Sequence, residues 1–206
     1  MTLPKLYAIA DRATLDARGI RVSEFAREMA QAGVGVLQYR DKVGAPNEVL
    51  RAAKEIGAEF AGQDCLLIMN DRADLALLAG WGVHVGHLDM SPADVRRLLG
   101  AAVIGVSTHN DDQVMKADAG AADYVAIGPV FATSSKADTE PVVGLEGVRR
   151  ARALTRKPLV AIGGITRENA RSVIEAGACS VAVIGALLAV GEPSAKIAKD
   201  FLDRLR

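Results

Sequence analysis

Gln38, Arg40 and Lys42 alternate in the stretch QYRDK, so an extended backbone turns all three to one side and Tyr39 and Asp41 to the other. Two cations so placed suit an anion with several oxygens, although a solvated strand end neutralised by Asp41 has the same pattern. Asn70-Asp71 closes the apolar run CLLIM, and HVGHLD carries His84, His87 and Asp89. Magnesium takes one or two carboxylates and fills its other positions with water and phosphate oxygens, so Asp71 and Asp89 suit it. Asp71 also suits a cap of the following helix, and Asp89 a cap or the start of the turn before Ser91-Pro92. With Arg40, Lys42 and Lys136 neutralising the remaining charge, the set fits a diphosphate. Zinc does not fit, because His84 and His87 have no third ligand at a telling spacing.

The stretch GPVFATSSK follows the apolar run DYVAI and brings the hydroxyls of Thr133, Ser134 and Ser135 next to Lys136. Hydroxyls beside an ammonium supply what a phosphate accepts, although a solvated loop is also Ser-rich. Gly163-Gly164 and Ile184-Gly185 end two further apolar runs, where glycine lets backbone amides approach oxygens closely. A tight turn into a helix beginning near Thr166 explains the first pair equally well. In STH, Ser107 is the better ligand contact and His109 a loop or helix-start residue.

These residues need a frame that brings them to one place. Eight short runs, LYAIA, VGVLQY, CLLIM, GVHVG, VIGVS, DYVAIG, LVAIGG and SVAVIG, are almost continuously apolar, as parallel strands covered on both faces are. Helical periods lie between them. Val22, Phe25, Ala26, Met29 and Ala30 make one apolar stripe, and Ile197, Ala198, Phe201, Leu202 and Leu205 another. Ser91-Pro92 with Asp94 predicts a helix start, and Gly33, Gly62, Gly100, Gly120 and Gly177 stand where left-handed helix exits are expected. Eight strand–helix units make a (β/α)₈ TIM barrel over residues 1–206, with a doubly wound sheet as the alternative. Chemistry in such a barrel sits at the C-terminal ends of the strands, where the residues above fall. The long interruption at 128–144 is expected to be functional.

At 206 residues and 50% apolar, the chain is long enough for one substantial core. Its 25 basic and 25 acidic residues cancel, which excludes recruitment of nucleic acid or an anionic membrane by a net field. Cys65 and Cys179 lie in apolar runs and are expected to be buried hydrophobes, neither a disulfide nor a zinc pair. The longest apolar run, VAVIGALLAV, is too short to span a bilayer, and the N-terminus has no signal-peptide pattern, so a cytoplasmic protein is expected.

Taken in order, QYRDK, MNDRADLA, HVGHLD, IGVSTH, GPVFATSSK, AIGGI and VAVIG resemble the thiamine-phosphate synthase family over nearly the whole chain. The resemblance implies a magnesium-dependent transferase of small phosphorylated substrates that joins a pyrimidinylmethyl diphosphate to a thiazole phosphate and releases pyrophosphate. It implies that Gln38, Arg40, Lys42, Asn70, Ser107 and Lys136 contact the pyrimidine diphosphate, with Arg40, Lys42 and Lys136 acting on the leaving group. It gives Asp71 and Asp89 to Mg2+, and Thr133, Ser135, Gly164, Ile184 and Gly185 to the thiazole phosphate. Gly185, His87-Leu88 and Ala132 depart from the family's usual Ser, Gln-Glu and Pro. A related thiazole tautomerase and a phosphate-binding regulatory barrel are the alternatives, and a homo-oligomer is left open.

Overall fold

The computed structural model describes residues 1–133 and 140–206. Eight parallel strands close into a barrel in sequence order, which excludes the doubly wound sheet. They are β1 (Leu6–Asp11), β2 (Val36–Arg40), β3 (Leu66–Asn70), β4 (Gly82–Val85), β5 (Ile104–Thr108), β6 (Tyr124–Ile127), β7 (Leu159–Ile162) and β8 (Ser180–Val183). Every strand coincides with one of the eight apolar runs. Alternation divides each into an outward set, which packs under the helices, and an inward set, which fills the barrel with Tyr7, Ile9, Val36, Ile68, Tyr124, Ala126, Val160 and Ala182.

The helices follow the apolar stripes. In α2 (Val22–Ala32) the residues Val22, Phe25, Ala26, Met29 and Ala30 are all buried, and in α9 (Ser194–Arg204) Ile197, Ala198 and Phe201 are. These two helices pack on each other and so close the outer ring beside the β1–β8 seam. Ser91 caps α5 (Pro92–Leu99) by accepting from the Asp94 amide. Gly33 ends α2 in the left-handed conformation. Gly120, by contrast, ends α6 (Asp111–Ala119) at φ −88°, extended backbone that any residue adopts. Among the described residues no helix is long and apolar enough to cross a membrane.

Three expectations need correction. Cys179 is exposed and Cys65 half-buried, because both stand in the turns that precede β8 and β3 and not within the strands. The helix after β7 begins at Ala170, not near Thr166. Asn169 holds the intervening turn, accepting from the Thr166 amide at 2.8 Å and donating to the Gly164 carbonyl at 3.0 Å.

Candidate functional site

β1 and β2 end side by side, with Asp11 registered on Arg40. The Arg40 guanidinium pairs with the buried Asp11 carboxylate, which also accepts from the Thr14 amide at 2.9 Å and hydroxyl at 2.6 Å. Asp11 therefore neutralises Arg40 and caps the helix that follows it. Asp41 does neither. It accepts from the Val43 and Gly44 amides at 3.1 and 2.7 Å and from the Tyr39 hydroxyl at 3.1 Å, and so builds the turn beyond Lys42. Lys42, half-exposed, pairs with Asp71 across the gap to β3.

Asp71 is the one non-glycine residue with positive φ, +60°, among the described residues. Such strain persists only where the surroundings enforce it, and here the Asp71 amide donates to the His84 carbonyl at 2.7 Å. Neither acid caps a helix, but Asp89 does hold a turn, the other role raised for it above. The residue before the helix Ala73–Ala79 is Arg72, and Asp89 accepts from the Gly86 amide at 2.8 Å within its own turn. Burial raises the Asp71 carboxyl above the usual carboxylate range; Lys42 opposes that shift and the adjoining Asp89 carboxylate reinforces it. Two adjoining carboxylates with one paired ammonium, Lys42 on Asp71, are short of positive charge, which is the condition a bound divalent cation relieves. Among the described residues no third acid, histidine or cysteine joins them, so a metal here would take the rest of its ligands from water and substrate.

The opposite sector of the rim is a cavity of about 570 Å³. Ser107, His109, Thr133, Gly163, Gly164, Ile184 and Gly185 are among its lining residues. The segment after β6 is held there by backbone, not left in solvent. Val130 donates to the Ile162 carbonyl at 2.9 Å and Phe131 to the Gly163 carbonyl at 3.0 Å, while Val143 returns to Pro129 at 2.9 Å. Val130 is fully buried. Gly163 and Gly164 are both at positive φ and pass so close to Pro129 and Phe131 that a side chain would collide. After β8, the 3₁₀ turn Gly185–Leu187 presents its first amides, which have no partner within the turn. Ser135 and Lys136 lie outside the described residues, so the hydroxyl and ammonium expected from them are not located.

The barrel interior links Gln38 and Ser107, both singled out above, through Tyr7, Tyr124 and His84, which were given no role there. Gln38, Tyr7, Tyr124, His84 and Ser107, from five strands, form one hydrogen-bonded file. His84 is buried in β4, and its ring joins Tyr124 to Ser107. Gly105 on β5 makes room for this contact, since a β-carbon there would overlap the Tyr124 phenol. Asn70, at the end of β3, is buried with no hydrogen-bond partner for its Nδ2 among the described residues. A buried donor left unmade costs about 1–3 kcal/mol, a cost that an incoming acceptor removes.

A parallel barrel with cations and acids on one arc of its C-terminal rim, and glycine turns after β7 and β8 on the other, defines an α/β-barrel enzyme of phosphorylated substrates. Known proteins place it more closely. The family model described as thiamine monophosphate synthase matches residues 6–187. Thiamine-phosphate synthase of Koribacter versatilis is 50% identical over 192 residues, covering 91% of this chain and 90% of that protein. That of Methanoregula boonei is 42% identical over 203 residues, covering 97% and 92%. The structure of thiamine phosphate pyrophosphorylase from Pyrococcus furiosus superposes with a TM-score of 0.88 at 31% identity, over 98% of this chain and 95% of that one. The chain belongs to the thiamine monophosphate synthase family.

Proposed function

We propose that this chain joins 4-amino-2-methyl-5-pyrimidinylmethyl diphosphate to a thiazole phosphate in the presence of Mg2+, releasing thiamine phosphate and pyrophosphate. The observation that carries this reading is the Asp71–Asp89 pair beside Lys42 and Arg40 at the mouth that also opens onto the glycine turns. A protein that bound only the thiazole phosphate would have no use for a charge-deficient carboxylate pair. In this reading the diphosphate lies over the β1–β4 arc and the thiazole phosphate over the β6–β8 arc.

Arg40 and Lys42 stabilise the charge that grows on departing pyrophosphate, and Lys136 is assigned the same task by its position in GPVFATSSK. Asp11 fixes where the Arg40 charge sits. Asp71 and Asp89 would hold the magnesium ion, which when bound supplies further neutralisation of the diphosphate. Asn70 Nδ2, Gln38 and Ser107 contact the pyrimidine half; Thr133, Ser135 and the backbone of Gly164, Ile184 and Gly185 receive the thiazole phosphate. The thiazole nitrogen attacks the pyrimidine methylene, so no side-chain nucleophile is needed, and the protein contributes charge and alignment. The direct test is incubation of the purified chain with both substrates and magnesium. Equimolar thiamine phosphate and pyrophosphate are expected; isomerisation of the thiazole alone, or phosphate binding without turnover, would overturn the assignment.

Two substitutions test the rim. Asp71→Asn and Asp89→Asn are each expected to raise the magnesium concentration for half-maximal rate by about ten- to a hundredfold, with partial rescue at high magnesium. An unchanged magnesium dependence would remove the metal role. Asn70→Leu replaces an unpaired buried donor with an apolar group of similar size. It is expected to raise unfolding free energy by about 1 kcal/mol in urea titration while raising KM for the pyrimidine diphosphate, and a stability loss would mean the amide is already satisfied.

A further inference from the structure

The file through the barrel has a direction. Gln38 Nε2 donates to the Tyr7 hydroxyl at 2.8 Å, Tyr7 and Tyr124 hydroxyls are 2.8 Å apart, Tyr124 lies 2.9 Å from His84 Nδ1, and His84 Nε2 lies 2.9 Å from Ser107 Oγ. Both phenols are buried, so each proton requires an acceptor. An amide nitrogen can only donate, so Gln38 occupies a lone pair of Tyr7. The one other partner of the Tyr7 hydroxyl among the described residues is Tyr124, which must therefore take its proton. Tyr124 in turn passes its own proton to His84 Nδ1. An imidazole that accepts at Nδ1 is neutral and carries its proton on Nε2, where it points at Ser107. The reverse polarity would leave the Tyr7 proton buried without an acceptor.

We propose that Tyr7, Tyr124 and His84 are positioning residues that fix Ser107 as a hydrogen-bond donor to the pyrimidine substrate. Ser107 accepts from His84, so its own proton is left for the cavity that it lines. The ligand atom it takes is an acceptor, an unprotonated ring nitrogen or an anionic oxygen, and not an amino group. The file also ties Ser107 on β5 to Gln38 on β2, so the two pyrimidine contacts are set by one continuous network. The substrate assignment rests on the synthase reading; the polarity does not.

Nitrogen-15 NMR of the imidazole rings tests the polarity directly, since the chain has three histidines to assign. His84 is expected as the Nε2–H tautomer in the ligand-free parent protein. An Nδ1–H tautomer or an imidazolium would overturn the relay, whether or not the protein is a synthase. Kinetics test the positioning. His84→Gln can offer an amide N–H toward Ser107 in place of Nε2–H, whereas the shorter His84→Asn reaches only the Nδ1 position. His84→Asn and Tyr7→Phe are expected to raise KM for the pyrimidine diphosphate about tenfold, the worth of one hydrogen bond, with KM for thiazole phosphate unchanged. His84→Gln should restore most of that loss. Equal changes in both KM values, or no difference between Gln and Asn, would overturn the positioning role; absence of turnover in the parent protein would instead fail the synthase reading and leave the tautomer result standing.

Discussion

Replacing Asp11 by alanine is expected to lower unfolding free energy by about 3 kcal/mol, the low end for breaking a buried ion pair, because Arg40 keeps some contact with water. The carboxylate does three things: it ends β1, caps the next turn through Thr14, and neutralises Arg40. Losing the cap alone accounts for about 1 kcal/mol. The remainder is the stranded guanidinium, which on the proposed reading would also leave its place over the diphosphate, so single-turnover rate should fall with stability. Asp11→Asn keeps a capping oxygen and should separate the two effects, with a smaller stability loss and a comparable loss of rate. Burial pushes the Asp11 carboxyl up, but the hydrogen bonds from Thr14 and Arg40 together outweigh it and hold the group below the ordinary aspartate value. Folding therefore favours the ionised form. That stabilisation is complete above the unfolded value of about 3.9 and is lost as pH falls through the lower folded value. Urea titrations of the parent protein should show stability falling in this acid range more steeply than those of Asp11→Ala. Parallel curves would mean that the ion pair contributes nothing to stability.

Asp11 also marks where the sequence stops being legible. The eight strands could be read because both faces of each are covered, which makes them almost uninterrupted apolar runs; α2 and α9 could be read because one face of each is wet. The trio Gln38, Arg40 and Lys42 could be read from alternation alone. Their partners could not. Asp11 is a single acid after an apolar run, a pattern that any helix cap produces, and its pairing with Arg40 follows from the β1–β2 register. Tyr7, Tyr124 and His84 look like ordinary core positions, since nothing local tells a tyrosine that another stands across the barrel. The collision that Gly105 avoids is equally invisible before the strands are closed into a ring. Local chemistry at strand ends is thus written in short spacings, whereas support for that chemistry depends on closure of the barrel.

The same distinction separates the two glycine turns. Gly185 is the position where the chain departs from the family's usual serine. It is not among the glycines at positive φ, and it begins a 3₁₀ turn that any residue can enter. Gly185→Ser should therefore be mild, changing KM for thiazole phosphate by no more than a few fold, about the net value of one hydrogen bond.

Gly164, by contrast, has no room for a side chain. It sits at φ +62°, and a β-carbon would stand 2.6 Å from the Ala132 carbonyl oxygen and 2.7 Å from Phe131 Cβ. Adopting that backbone costs an L-residue about 1–2 kcal/mol before any contact is counted. The collision then falls on main chain. Moving Phe131 and Ala132 away strains the hydrogen bond from Phe131 to the Gly163 carbonyl, and with it the approach of Thr133 to the cavity. Gly164→Ala should raise KM for thiazole phosphate on the order of a hundredfold, as loss of well-placed hydrogen bonds to a charged group does. KM for the pyrimidine diphosphate should change much less, since Asp11, Arg40, Lys42 and Asp71 stand on the β1–β3 arc. Measuring the two constants separately decides it. A loss confined to thiazole phosphate places that phosphate at the β7 turn; equal losses would mean that the strain spreads through the rim, and an unaffected enzyme would move the phosphate away from Gly164 altogether.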